Sequence, residues 1–209
     1  MLLRADNLQD LTPRDVSLLL QQRGVARVVD LRTGEEVSLE GPGPLVGRVD
    51  IRHRSLHPEA GARTDVVITS EADFYLGYLH DRPDSVVGAL EDVASGSGAV
   101  LIHCAAGKDR TGVVVAMALA AAGVERDAIV ADYVATGSRI AAIMARLRAS
   151  PTYAPDLEGV TDESRAPRAE TLERFFEVLD SRFGGPLEWL AAHGFSADGL
   201  RRRLVAPAN

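Results

Sequence analysis

An apolar run of strand length, "AVLIH" at 99–103, follows the turn "GSG" and leads straight into "CAAGKDR" at 104–110. After Arg110 comes "TGVVVAMALAAAG", which has the length and composition of a helix ended by Gly123. Strands and helices alternate early in the chain and helices dominate late, which implies an α/β architecture with a strand–loop–helix connection at this point. The same connection sets the unpaired N–H groups and the positive dipole end of a helix at a strand tip. Ala105, Ala106 and Gly107 are small enough for successive main-chain amides to turn inward around one anion. A tetrahedral phosphate suits such a cradle. Arg110 can close it with two parallel hydrogen bonds to phosphate oxygens.

The loop also holds the chain's single cysteine and its single lysine, Cys104 and Lys108; the other 22 of the 23 basic residues are arginines. An ammonium kept at this one position suggests a need for a compact charge on a flexible stem rather than a planar fork. Cys104 lies at the bottom of the cradle, where the field that holds phosphate also favours thiolate over thiol. A thiolate there is placed for attack on phosphorus. Thr111 can donate its hydroxyl to the sulfur, and His103 reads as a brace for the loop backbone. A nucleotide-binding G-x-x-x-x-G-K-[ST] loop is rejected, because Ile102 stands five before Gly107 and Asp109 follows Lys108. No second cysteine or spaced histidine pair offers a metal site, so neither a metal nor another cofactor is expected. An inert buried cysteine is the plain alternative for Cys104, and its C-x5-R-T context argues against it.

Elsewhere the chain punctuates itself. Thr12, Pro13 and Asp15 announce a first helix, which Gly24 can end. "VARVVDLR" (25–32) and "RVDIRHRSL" (48–56) read as strands, with "EEVSLEGPGPLVG" (35–47) between them as a Gly/Pro-rich loop. "HPEAGARTD" (57–65) reads as a second loop, followed by helices in "SEADFYLGYLH" and "RPDSVVGALEDVAS". From Glu125 onward five further helical segments are predicted, giving a helical C-terminal half. Nothing marks a linker, so one domain spanning 1–209 is expected.

Composition limits the partners. With 46% hydrophobic and 25% charged residues the chain is ordinary for a globular protein, and a net charge of −7 argues against a nucleic-acid surface. The basic "LRRRLV" near the C-terminus complements a helix dipole. The most apolar stretch, "TGVVVAMALAAAGV", is too short to span a bilayer, so membrane insertion is not expected. The start lacks a signal-peptide pattern, and a lone cysteine suits a reducing cytoplasm. Oligomeric state is not legible.

"HCAAGKDRTG" resembles the C-x5-R-[ST] signature of the cysteine-dependent protein-tyrosine-phosphatase superfamily. Its Gly-Lys-Asp core is similar to that of a bacterial tyrosine/lipid phosphatase family. The early "LLRADNLQDLTPRDVSLLLQQRGVARVVDLRTGEE", the later "VERDAIVADYVATG" and the segment from Arg168 to Ser196 resemble that family too, so the likeness covers nearly the whole chain. It implies a phosphatase-type central sheet flanked by helices, with Cys104 as nucleophile and Arg110 as phosphate clamp. It also implies a cysteinyl-phosphate intermediate. Substrates would be phosphoprotein, phosphotyrosine first with phosphoserine/threonine beside it, or phosphoinositide. Lys108 matches a loop position associated with phosphoinositide recognition, and Asp109 one associated with protonating the leaving group; Glu59, in the loop after the second strand, has the right chemistry to be the acid instead. Asp30 and Arg32 match a "DLR" element and read here as a structural ion pair. Tyr75 and Tyr78 read as the apolar side of a helix, entrance lining being the other reading, and Phe175, Phe176 and Trp189 as core. Two departures stand out. An N-terminal "N-x-R-D-x-G-G" stretch is missing. The segment between His57 and Ala99 is short for a helical lid, so a more open site is expected. The alternatives are a catalytically weak phosphate-binding regulatory module, or rhodanese-type or arsenate-reductase chemistry, which uses other loop lengths or more cysteines.

Overall fold

The computed structural model describes residues 1–57 and 68–205. Four parallel strands form one sheet in the order β1-β4-β2-β3: β1 Leu2–Ala5, β2 Val25–Asp30, β3 Asp50–His53 and β4 Ala99–His103. Their registers pair Ala5 with His103, His103 with Asp30 and Asp30 with His53, so all four strands end level. Ligand sites of parallel sheets lie beyond such carboxyl edges. β1 is absent from the sequence reading. It is four residues long at a sheet edge, too short to show a period.

β4 is buried along its whole length, as its apolar run requires. Val100 and Ile102 face the larger core cluster, and Ala99 and Leu101 the smaller one on the opposite face. In β2, Val25 and Val28 both join the smaller cluster although they break strict alternation. A register irregularity between Val25 and Arg27 turns them to the same side. Eleven of the fourteen residues of the helix after the loop are buried, which fits its apolar character all round.

The helices are α1 Pro13–Ser17, widening into a π turn at Leu18–Gln22, α2 Gly34–Glu40, α3 Glu71–Asp81, α4 Pro83–Ser95, α5 Asp109–Ala122, α6 Arg126–Val134, α7 Ile140–Ala149, α8 Asp162–Arg165, α9 Ala169–Phe183, α10 Pro186–Ala192 and α11 Asp198–Leu204. Thr12 and Asp15 make the reciprocal capping box expected of α1, and Gly24 lies in the left-handed region. One expectation is corrected. Residues 35–47 do not form a loop throughout, because Thr33 and Glu36 build a second capping box and start α2, which Gly41 stops at φ 76°. The Gly/Pro content that suggested a loop begins only after that stop. The helical run Arg126–Ala149 is long and apolar enough to cross a membrane by composition alone. Within the fold, Ile129 and Tyr133 enter the main core, while Ile143, Met144 and Leu147 form a separate cluster with Ala105.

Phe175, Phe176 and Trp189 are buried in the main core as expected. The Asp30–Arg32 pair is fully buried, with Arg32 Nη2 donating to Asp30 Oδ2 at 2.6 Å and Nε to Oδ1 at 2.9 Å. The pair steadies the tip of β2 beside the loop after β4.

Candidate active site

Cys104 stands where β4 ends, and α5 starts five residues later at Asp109. The loop between them needs one left-handed residue, and Gly107 supplies it at φ 65°. A Cβ there would meet Ala5 O at 2.5 Å, so only glycine lets the loop lie against the end of β1. The Gly107 N–H donates to Cys104 Sγ at 3.3 Å. His103 Nδ1 bonds Cys104 O at 3.1 Å, and its Nε2 lies 3.6 Å from Asp30 Oδ2. Burial lowers the pKa of this imidazole below its ordinary value. His103 thus ties the loop to the Asp30–Arg32 pair, on the strand side.

Cys104, Ala105, Ala106, Lys108, Asp109 and Arg110 all line one cavity of about 570 Å³. Gly107 instead faces a second cavity behind the loop. Thr111 is fully buried and its hydroxyl makes no hydrogen bond, so the bond expected to the sulfur is not formed. Glu59 lies outside the described residues.

The two loop cations each meet a carboxylate. Arg110 Nη1 and Nη2 donate to Glu36 Oε2 and Oε1 at 2.5 and 2.9 Å. Burial alone would raise the Glu36 pKa, but the Arg110 guanidinium and the Thr33 contacts hold it down to about 2. Lys108 is 1% exposed; its Nζ lies 2.5 Å from Glu71 Oε1 and 3.2 Å from Asp109 Oδ1. Asp109 Oδ1 also accepts from the Tyr75 hydroxyl at 2.8 Å, and Tyr75 is 2.7 Å from the Tyr133 hydroxyl. A carboxylate only accepts, so the relay runs from Tyr133 to Tyr75 to Asp109. Burial raises the Tyr75 pKa far above its ordinary value, with Asp109 adding to it, and this keeps the phenol a neutral donor. Tyr75 is therefore core, as expected, with one polar task. Tyr78 packs in the same core and also lines the cavity.

Sequence reasoning missed several lining residues. Glu36 carries a visible signal, the T-x-x-E box at Thr33. His57 has none; its ring sits against Phe74 and Tyr78, and burial together with the Arg110 charge lowers its pKa. The opposite wall comes from α7 and the turn after it, through Ile140, Met144, Leu147 and Tyr153. The arrangement presents a buried thiol, an arginine fork and a loop carboxylate to one pocket rimmed by aromatic and aliphatic side chains.

A family model described as the tyrosine phosphatase family matches residues 1–206. The chain is 28% identical to the triple specificity protein phosphatase PtpB of Mycobacterium tuberculosis, over 88% of this chain and 82% of that protein. It is 35% identical to a tyrosine-protein phosphatase of Nostoc commune, over 53% of this chain and 40% of that one.

Proposed function

This chain belongs to the tyrosine phosphatase family, and on that premise we propose that it hydrolyses phosphotyrosine esters through a cysteinyl-phosphate intermediate on Cys104. One observation carries the reading: Cys104, whose Sγ accepts the Gly107 N–H at 3.3 Å, lines one cavity together with Arg110 and Asp109. In the first step the thiolate attacks phosphorus and the P–O bond to tyrosine breaks. The departing phenolate oxygen takes a proton from Asp109. In the second step a water oxygen attacks phosphorus, its proton passes to Asp109, and the S–P bond breaks to release phosphate. Main-chain amides and Arg110 stabilise the charge on the equatorial oxygens in both steps. Tyr75 and Lys108 occupy Asp109 Oδ1, leaving Oδ2 as the oxygen that exchanges the proton.

Phosphotyrosine suits the depth of the site. Cys104 is 2% exposed, and the aromatic side chains of His57, Phe74 and Tyr78 line the cavity where an aryl ester would lie. Extension to phosphoserine/threonine or phosphoinositide rests on Lys108, which lines the cavity, and on the name of the mycobacterial relative. A second phosphate would have to compete there with Glu71. The working thiol must stay reduced, which suits a reducing compartment such as the cytoplasm.

The decisive experiment is Cys104→Ser, assayed with p-nitrophenyl phosphate and a phosphotyrosine peptide. Turnover is expected to disappear while the variant still binds the peptide. Near-normal turnover would falsify the covalent mechanism. Parallel assays on a phosphoinositide panel rank the substrate classes.

A further inference from the structure

The inference concerns the far side of the loop and rests on the phosphatase reading above. Two arginines from distant parts of the chain reach the loop from behind. Arg146, on α7, donates through Nη2 to Ala105 O at 2.5 Å. Arg4, on β1, donates through Nη2 to Gly107 O at 2.7 Å. Both line the second cavity, of about 630 Å³, whose wall also includes Ala106 and Gly107. No described peptide bond is cis. In a trans peptide the C=O and the following N–H point in opposite directions. With the Ala105 and Gly107 carbonyls drawn toward the arginines, the Ala106 and Lys108 N–H groups are turned the other way. Ala106 and Lys108 line the cavity that holds Cys104.

We infer that Arg4 and Arg146 are positioning residues for the phosphatase reaction: by gripping the Gly107 and Ala105 carbonyls they keep the Lys108 and Ala106 amides aimed at the phosphate. The loop needs such a grip. Small residues and a left-handed glycine make its peptide planes easy to turn, and a flipped plane would set a carbonyl oxygen against a phosphate dianion. The arginines are themselves anchored. Arg4 Nη1 pairs with Asp132 Oδ2 at 2.7 Å, and Arg4 Nη2 also reaches Thr136 Oγ1 at 3.1 Å. Arg146 Nη2 lies 3.4 Å from Asp6 Oδ2. The fork geometry matters most at Arg4, whose Nη1 and Nη2 hold Asp132 and the Gly107 carbonyl together, while the Nη2 of Arg146 serves both Ala105 O and Asp6.

The test compares Arg4→Met, Arg146→Met and Cys104→Ser with the wild type. It measures kcat and KM for p-nitrophenyl phosphate and inhibition by orthovanadate, whose five-coordinate adduct mimics the transition state. Each Met variant is expected to lose roughly tenfold or more in kcat and a similar factor in vanadate affinity, a fraction of what removing a direct donor costs. The loss must persist in about 1 M salt, where the screening length is about 3 Å. A loss that vanishes in salt marks a mere charge field and overturns the proposal, as do wild-type kcat and vanadate affinity. Where circular dichroism shows a Met variant unfolded, the Lys variant at that position replaces it. Lys keeps the charge but not the fork, so a several-fold loss in kcat is expected, and full activity overturns the proposal. An active Cys104→Ser would sink the covalent mechanism instead; an inactive one beside unaffected arginine variants sinks only this inference.

Discussion

At Arg110 two N–H groups go to Glu36, and the carboxylate is set in turn by Thr33, whose N–H donates to Glu36 Oε2 at 2.7 Å. The pair engages both terminal nitrogens of the guanidinium, and Nη1 also donates to Leu31 O at 3.4 Å. Burial opposes the charge on Glu36, yet its pKa is about 2 in the folded chain against an ordinary 4.5. The depressed value means that this carboxylate stabilises the fold fully above pH 4.5 and that the contribution is lost as pH falls toward 2. Its size is on the order of 3 kcal/mol. Glu36→Gln should therefore lower the urea-unfolding free energy by about that amount at neutral pH. The gap between variant and wild type should close on acidification. Equal stabilities at neutral pH would refute this account. Asp109 supports a different measurement. Asp109→Asn is expected to cost about a hundredfold in kcat on phenyl phosphate and little on p-nitrophenyl phosphate, whose leaving group needs less help. If Glu59→Gln shows that dependence and Asp109→Asn does not, the acid is Glu59.

Two short elements shape the site beyond their size. α2 exists because Thr33 and Glu36 cap each other, and the same Glu36 then reaches Arg110. Removing the cap should thus be felt twice. Thr33→Ala is expected to cost about 1 kcal/mol, or roughly 2–4 °C in Tm for a chain of this length. It should also lower kcat, because Glu36 loses one of the contacts that aim it. A thermal melt and a steady-state assay on the same preparation check both, and a lower Tm with unchanged kcat would uncouple α2 from the site. β1 is the other such element. Its four residues extend the sheet past β4 and carry Arg4 and Ala5 to the underside of the loop.

Across the whole molecule, one main core runs from Cys104 to Leu200 of α11. The carboxyl end of β4 carries Cys104. Near its start, Arg203 of α11 donates to the carbonyls of Gly96 and Gly98. Leu200, on the same helix, is fully buried in the main core. Leu200→Ala should cost about 2–5 kcal/mol through the cavity it leaves. Because α11 packs on α4 and α5 and contributes no residue to the lining of the Cys104 cavity, kcat measured well below the melting temperature should stay close to wild type. Urea unfolding and a 25 °C assay separate the two effects; a proportionate fall in kcat would show that the helical C-terminal half tunes the site.

The sequence by itself determined whatever is local in the chain. The strand, loop and helix around Cys104 are written in consecutive residues, as are the cap of α1 and the left-handed stop at Gly123. Each depends on neighbours a few positions away, so composition and spacing reveal it. The tertiary structure decided the partners. Glu36 meets Arg110 from 74 positions away, Tyr75 meets Asp109 from 34, Arg146 meets Ala105 from 41 and Arg4 meets Gly107 from 103. No periodicity encodes such pairs. They form because the sheet order brings β1 beside β4 and because helices on both faces bury their apolar sides. Packing, not local propensity, thereby chooses which carboxylate, phenol or guanidinium ends beside the loop.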